Sequence, residues 1–426
     1  MKTAFSRVPT SRQIALLIFL LALAVRVALL CFDDGLVHVR GDSPDYLAIA
    51  ESLKNGDGFS LDGERPTASR MPLYPMFLAG VLSLPGAGLR TIQLLQILID
   101  CGTCLLVFFL AKRLLGKDFA LIAGLFAALY VPIAAQTLFV HSETLFTFLF
   151  IASCFYLAVG EKNIWMCGTG GLLIGVATLV RPNGLVVGIF FAFWFLYRRA
   201  WRQLPAYLLC LAVVMTPWIA RNAAVFHRFI PTFTTSGIAL YNSYFIPEDG
   251  LGYNQIMPEH GAFRTMVSET DRSDYLTHVT IEHLRRHPLL AVKLVPLKMS
   301  LLMYPYDLKW WCPWCPIKFN VFWFAALVFA LTALVARWKL AAERLSLMLF
   351  ALGSMLATST VFLGLPRYRS PYDPLIILLA AVGIHWMAGR ERRLVWFAAI
   401  AGISILFILA GESEGVVSLV RALMPR

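Results

Sequence analysis

Two carboxylates three residues apart, Asp42 and Asp45, lie in the stretch RGDSPDYLAIAESLKNGDGF, around a helix start marked by Ser43 and Pro44. Tyr46, Leu47, Ala50 and Leu53 then fall on one apolar stripe, and Lys54-Asn55-Gly56 ends it, so the pattern predicts a short helix lying on a membrane surface. One reading makes both carboxylates helix caps, because negative charge is favoured at a helix N-terminus. The other makes Asp42 a catalytic base. Moving a group from a phosphate ester to a hydroxyl needs a carboxylate to take the acceptor proton and cations to stabilise the departing phosphate. Arg70, in PTASRMPLYPMFLAG, is the first candidate cation; Pro72 and Pro75 force a turn after it.

The other candidates recur at the ends of apolar runs. His141, Ser142 and Glu143 open one run, Arg181 in VRPNGL closes another, and Arg221 in PWIARN closes a third. Arg367, Tyr368 and Arg369 in PRYRSPYDP stand between two later runs. Arginine suits phosphate because its planar fork donates paired hydrogen bonds and stays charged when partly desolvated. The competing role for each arginine is anchoring to lipid headgroups or capping a helix. Asp42, His141 and Glu143 could ligate a divalent ion, although such a mixed set has no diagnostic spacing. Arg26, inside the first apolar run, is expected to snorkel to the interface and to be structural.

The elements that must position these residues belong to a bilayer. Of the 426 residues 59% are hydrophobic and only 15% charged, against about a quarter charged in soluble domains. Apolar runs near 14–32, 91–111, 119–139, 143–160, 164–181, 184–198, 204–220, 319–336, 345–364, 371–388 and 394–410 predict eleven membrane spans. The first run is too long for a signal h-region and is expected to be an uncleaved span. The net charge of +12 is spread in small clusters between the runs, without the basic face and interleaved aromatics of a nucleic-acid binder. Lys2, Arg7 and Arg12 share one side with Lys112, Arg113, Lys117, Lys162, Arg198, Arg199 and Arg202, and with the basic residues after the eighth and tenth runs; that side is cytoplasmic by the positive-inside rule. The N-terminus is then inside, and residues 33–90 and 222–318 are external loops. Arg181, Arg221, Arg367 and Arg369 stand on the outer side against the charge rule. A run near 289–304, interrupted by Lys293, Pro296 and Lys298, is expected to lie in the interface.

The ordered set GDSPDYLAIAESLKNGDGF, ASRMPLYPMFLAG, HSETLFTF, VRPNGL, PWIARN and PRYRSPYDP, between matching spans, resembles the C-type glycosyltransferases. The branch in question contains the protein O-mannosyltransferases and the bacterial enzymes that add aminoarabinose or galacturonic acid to lipopolysaccharide. The resemblance covers residues 14 to about 389. It implies an all-α polytopic fold, a polyprenyl-phosphate sugar donor, and a glycan, lipid or protein acceptor outside the inner (plasma) membrane. It also implies an essential carboxylate at Asp42 and an acidic residue of the active cavity at Glu143. In many members Glu follows that Asp directly; here Ser43 does.

The expected organisation is an N-terminal membrane core at 1–221 with its catalytic loop at 33–90, an external region at 222–318, and C-terminal spans at 319–426. The external region is expected to cover the cavity and help select the acceptor; its CxxC, Cys312 and Cys315, could form a disulfide, remain as thiols or hold a metal. Two rival functions remain at this point. A lipid-linked sugar transporter would need polar residues along a path at mid-membrane depth, and an oligosaccharide ligase or polymerase would use diphosphate-linked glycans.

Overall fold

A computed structural model of the chain describes residues 10–32, 39, 41–245, 266–304, 319–362 and 364–388. The described residues are helical, with an isolated bridge between Ser60 and Pro66 in place of any strand. The expected run at 394–410 and the pair Cys312–Cys315 lie outside them.

The N-terminal half contains α1 (Ser11–Cys31), α2 (Ser43–Asn55), α3 (Leu73–Leu82), α4 (Leu89–Leu114), α5 (Lys117–Leu129), α6 (Val131–Gln136), α7 (Glu143–Val159), α8 (Ile164–Val180), α9 (Asn183–Tyr197) and α10 (Leu204–Phe226). After it come α11 (Ser236–Tyr241), α12 (Glu269–Arg286), α13 (Leu290–Lys293), α14 (Val295–Leu302), α15 (Val321–Ala336), α16 (Trp338–Arg344), α17 (Ser346–Val361), α18 (Pro366–Arg369) and, beyond a 3-10 turn at Ser370–Tyr372, α19 (Asp373–Ala388). α1, α4, α10 and the 23-residue unit Pro366–Ala388 are long and apolar enough to cross a membrane; α15 and α16 together form a fifth candidate, bent by 98°. The expected runs at 143–160, 164–181, 184–198 and 345–364 appear as shorter apolar helices, so the chain is a helical membrane protein without eleven full-length crossings among the described residues.

Local chemistry explains the main departures. The expected span at 119–139 breaks at Tyr130, whose extended backbone (φ −76°, ψ 93°) precedes α6; Pro132, in the first turn of α6, has no N–H with which to continue the ladder from α5. Arg26 does not reach the interface: it is fully buried and pairs with Asp100 of α4 at 2.8 Å, its Nη1 donating to the Ala128 carbonyl at the frayed end of α5 (2.5 Å). The segment expected to lie in the interface at 289–304 is split into α13 and α14. Its Lys298 points inward, donating to the Thr360 and Val361 carbonyls at the end of α17 (3.2 and 3.0 Å). Burial lowers the Lys298 ammonium to a pKa of about 8.

Close helix crossings follow from missing side chains. A Cβ at Gly171 of α8 would stand 2.1 Å from the Tyr207 carbonyl of α10, and one at Gly383 of α19 would stand 2.0 Å from the Phe329 carbonyl of α15. Small residues let helix backbones approach where lipid offers no hydrophobic drive between helices. One continuous core runs from Ile18 through Phe108, Phe150 and Trp323 to Leu379, while Leu17, Leu98, Phe193 and Leu209 stay exposed as a lipid-facing surface should be.

Candidate active site

α2 starts as the sequence predicts, with Pro44 in its first turn, and ends on Gly56 in the left-handed region (φ +89°), where glycine carries no Cβ penalty. Asp42 occupies the N-cap position, yet its side chain makes no capping bond. Ser43 does not cap either: its Oγ donates to the Val140 carbonyl (3.0 Å), docking α2 on the turn before α7. The carboxylate of Asp42 is therefore left for other partners. Arg70 Nη2 is 2.9 Å from Asp42 Oδ1 and 2.8 Å from Asp45 Oδ2. Arg367 Nη2 is 2.8 Å from Asp42 Oδ2, and Arg367 Nε donates a short hydrogen bond to Glu143 Oε1. Arg181 Nη1 is 2.9 Å from the same Glu143 oxygen and donates to Ser142 Oγ (3.0 Å).

Read along its contacts, the site is an alternating chain: Asp45, Arg70, Asp42, Arg367, Glu143, Arg181. Its three carboxylates and three guanidinium groups balance in charge, and they come from α2, the loop before α3, α18, the first residue of α7 and the residue closing α8. One end is sealed, with the Glu143 side chain 1% exposed; the other opens outward, with Arg70, Arg367 and Asp42 at 21, 24 and 30%. Glu143 Oε2 is buried without a hydrogen bond, and Arg367 Nη2 meets Asp42 through the ion pair alone. Burial alone would raise the Asp42 carboxyl, but the Arg367 and Arg70 guanidiniums outweigh it and hold the group below the usual carboxylate range; Glu143 and Arg181 also act on it. Burial, then Asp42, push the Tyr46 hydroxyl up.

Other residues named from the sequence stand elsewhere. Arg221 donates to the Thr67 carbonyl (2.8 Å) and lies over the Trp218 ring. Arg369 is buried, bonded to Asp373 (3.2 Å) and the Leu302 carbonyl (2.9 Å) and stacked on Trp323 at 3.7 Å. Tyr368 packs beside the small cluster around Leu290 and Leu294. His141 is buried and stacked on Phe139, 5.6 Å between centroids. Asp42 and Glu143 are each matched to guanidinium groups, and no three His, Cys, Asp or Glu side chains converge among the described residues. In this arrangement Asp42, His141 and Glu143 do not form a cluster fitted to a divalent ion.

Several supporting residues were missed. Tyr46 OH lies 3.2 Å from Ser142 Oγ and so joins α2 to Arg181's hydroxyl partner. Gln93 and Gln96 of α4 donate to the carbonyls of Leu138 (2.8 Å) and of Thr137 and Phe139 (2.9 and 2.8 Å), fixing the turn that presents Ser142 and Glu143. Tyr74 donates to Gln96 in turn (2.9 Å). The signal was present: Gln93, Gln96 and Asp100 recur at three and four residues on one face of an otherwise apolar run.

Residues 65–220 match the family model described as dolichyl-phosphate-mannose-protein mannosyltransferase. Among solved structures, the Archaeoglobus fulgidus oligosaccharyltransferase complexed with Zn and sulfate superposes with a TM-score of 0.53 at 13% identity, covering 96% of this chain and 52% of that one. This is the C-type glycosyltransferase fold. The same archaeal protein, AglB, in complex with an inhibitory peptide and a dolichol-phosphate, aligns at 0.52 with 14% identity over 96% of this chain and 55% of its own. ArnT from Cupriavidus metallidurans bound to undecaprenyl phosphate aligns at 0.44, with 16% identity over 89% and 79%. The chain spans about half the length of the archaeal enzyme. Among curated protein sequences none matches.

Proposed function

We propose that the protein is a membrane glycosyltransferase that moves a sugar from a polyprenyl-monophosphate carrier to an acceptor hydroxyl on the extracytoplasmic face. The observation that carries this reading is the bridging of Asp42 by Arg70 and Arg367, both partly open to the outside. The family model matched over 65–220 and the dolichol-phosphate named with AglB agree with such a donor.

The carrier's phosphate is a stronger anion than a carboxylate and offers more oxygens to guanidinium forks. On binding it takes Arg367 and Arg70, with Arg181 behind them. Asp42 then loses the two charges that suppress its basicity. The freed carboxylate takes the acceptor's proton as the acceptor oxygen bonds to the anomeric carbon and the carbon–oxygen bond to phosphate breaks, leaving polyprenyl phosphate on the arginines. A single displacement of this kind inverts the anomeric centre. Glu143 stays ionised at the sealed end and keeps Arg181 and Arg367 apart and aimed outward.

Purified full-length protein in detergent, given labelled polyprenyl-monophosphate and polyprenyl-diphosphate sugars in parallel, tests the reading. Transfer from the monophosphate that vanishes in Asp42→Asn supports it. Transfer from the diphosphate alone would assign the protein to the ligases, and movement of the carrier across proteoliposomes without transfer would make it a transporter.

A further inference from the structure

The segment that delivers Arg70 has no free backbone group in the three residues before it. Thr67 N donates to the Phe59 carbonyl (3.0 Å), Ala68 N to Glu269 Oε1 (2.7 Å) and Ser69 N to Thr67 Oγ1 (3.0 Å). The carbonyls of Thr67, Ala68 and Ser69 accept from Arg221 Nη1 (2.8 Å), Thr234 N (3.0 Å) and Thr235 Oγ1 (3.1 Å). Four of these partners lie far along the chain, between residues 221 and 269. Glu269 is bound twice, since Thr67 Oγ1 also donates to its Oε2 (2.7 Å).

Glu269 opens α12, where an acidic residue would ordinarily serve the helix dipole. Here the capping is done by Ser268, which accepts from Asp271 N (3.2 Å), while both carboxylate oxygens of Glu269 turn outward to the 67–68 backbone. We infer that Glu269 is a positioning residue: through the Thr67–Ser69 segment it fixes the direction in which Arg70 meets Asp42, and so ties the region after α10 to the site. The catalytic half of this inference rests on the function proposed above; the structural half does not.

Bonds to a charged acceptor are stronger than those between neutral groups but local, so losing the carboxylate is expected to free this segment without unfolding the membrane helices. Arg70 would then sample directions away from Asp42, and a displacement of about 1 Å at a reacting constellation costs up to about a hundredfold in rate. Replacement by glutamine keeps a carbonyl for Ala68 N.

Hydrogen exchange on the full-length protein in lipid nanodiscs reads the clasp without any transfer assay. Glu269→Ala is expected to speed exchange of the Thr67–Ser69 amides about tenfold or more, with α4 unchanged, while Glu269→Gln stays within about threefold of the parent. Thr67→Val removes Glu269's second donor from the other side and serves if Glu269→Ala does not fold; it is read at the Ala68 amide alone, because it also takes away the acceptor of Ser69 N. In the transfer assay, Glu269→Ala lowers kcat/KM about tenfold in the parent background and has no further effect in Arg70→Ala. Unchanged exchange in both variants, or a tenfold loss that repeats in the Arg70→Ala background, overturns the assignment. If exchange behaves as expected but the parent transfers nothing from polyprenyl-monophosphate sugar, the clasp stands and it is the transfer reading that falls.

Discussion

Arginine meets carboxylate inside this protein in two different ways. Arg26 and Asp100 form a closed pair: both side chains are almost wholly buried, and the guanidinium also bonds to the carbonyls of Ala128 and Ala127 and to Cys104 Sγ, so its donors are spent within the protein. The chain from Asp45 to Arg181 is open: its charges are shared in series, and one rim is partly solvent-exposed. Breaking one partner of a closed buried pair leaves an uncompensated charge in a low-dielectric interior, which is a cost to folding. An open alternating chain can exchange a carboxylate for an incoming anion without stranding a charge, which is what a phosphate site requires. Burial of an ion pair therefore says little by itself about function; the sharing of charges in series and the route to solvent carry the distinction.

The comparison breaks most sharply at Asp42. Asp42→Asn keeps size and removes the base, and is expected to lower transfer by about 10³-fold with the unfolding temperature in detergent unchanged. Retained activity would reassign the open chain to structure. Arg367→Ala removes the guanidinium that bridges Asp42 and Glu143, and is expected to cost about 10²-fold in kcat/KM for the carrier, measured against the same thermal control. At the closed pair the effect should move to the other axis. Arg26→Ala is expected to lose about 3–5 kcal/mol in a detergent unfolding titration while folded protein keeps its kcat, and the double variant Arg26→Met with Asp100→Leu is expected to recover most of that loss.

The smallest effect is on pH dependence. In the free protein Arg367 and Arg70 hold Asp42 ionised below the ordinary carboxylate value of about 3.9, so the form that acts as base persists as pH falls through that value. When the donor phosphate draws those arginines away, the carboxyl rises. The acid limb of kcat, which reports the complex, is therefore expected at higher pH than that of kcat/KM, which reports the free protein. Coincident limbs in a rate profile would mean that the arginines stay on Asp42 throughout.

Much of the site was legible because charge is rare in a chain so apolar. Arg181 and Arg367 stood out against the charge rule, Arg70 as a cation of the first external loop and Glu143 as the acid opening an apolar run, and the structure joins these four to Asp42 in one chain of ion pairs. Arg221 and Arg369 stood out equally and serve the neighbouring scaffold instead. Nothing in their local sequence separates the two groups, because which guanidinium faces a carboxylate and which faces a carbonyl depends on partners tens to hundreds of residues away.

Sequence by itself determined the membrane class, the start and stop of α2, and the carboxylate beside it, since these follow from hydropathy, proline and glycine within a few residues. Only the tertiary structure decided that Arg26 turns inward to Asp100, that the run at 119–139 breaks at Tyr130, and that Glu269 reaches back about two hundred residues to hold the segment before Arg70. The physical reason is the same in each case. A buried polar group must find partners, and in a helical membrane protein those partners are supplied by the packing of distant segments rather than by neighbours in the chain.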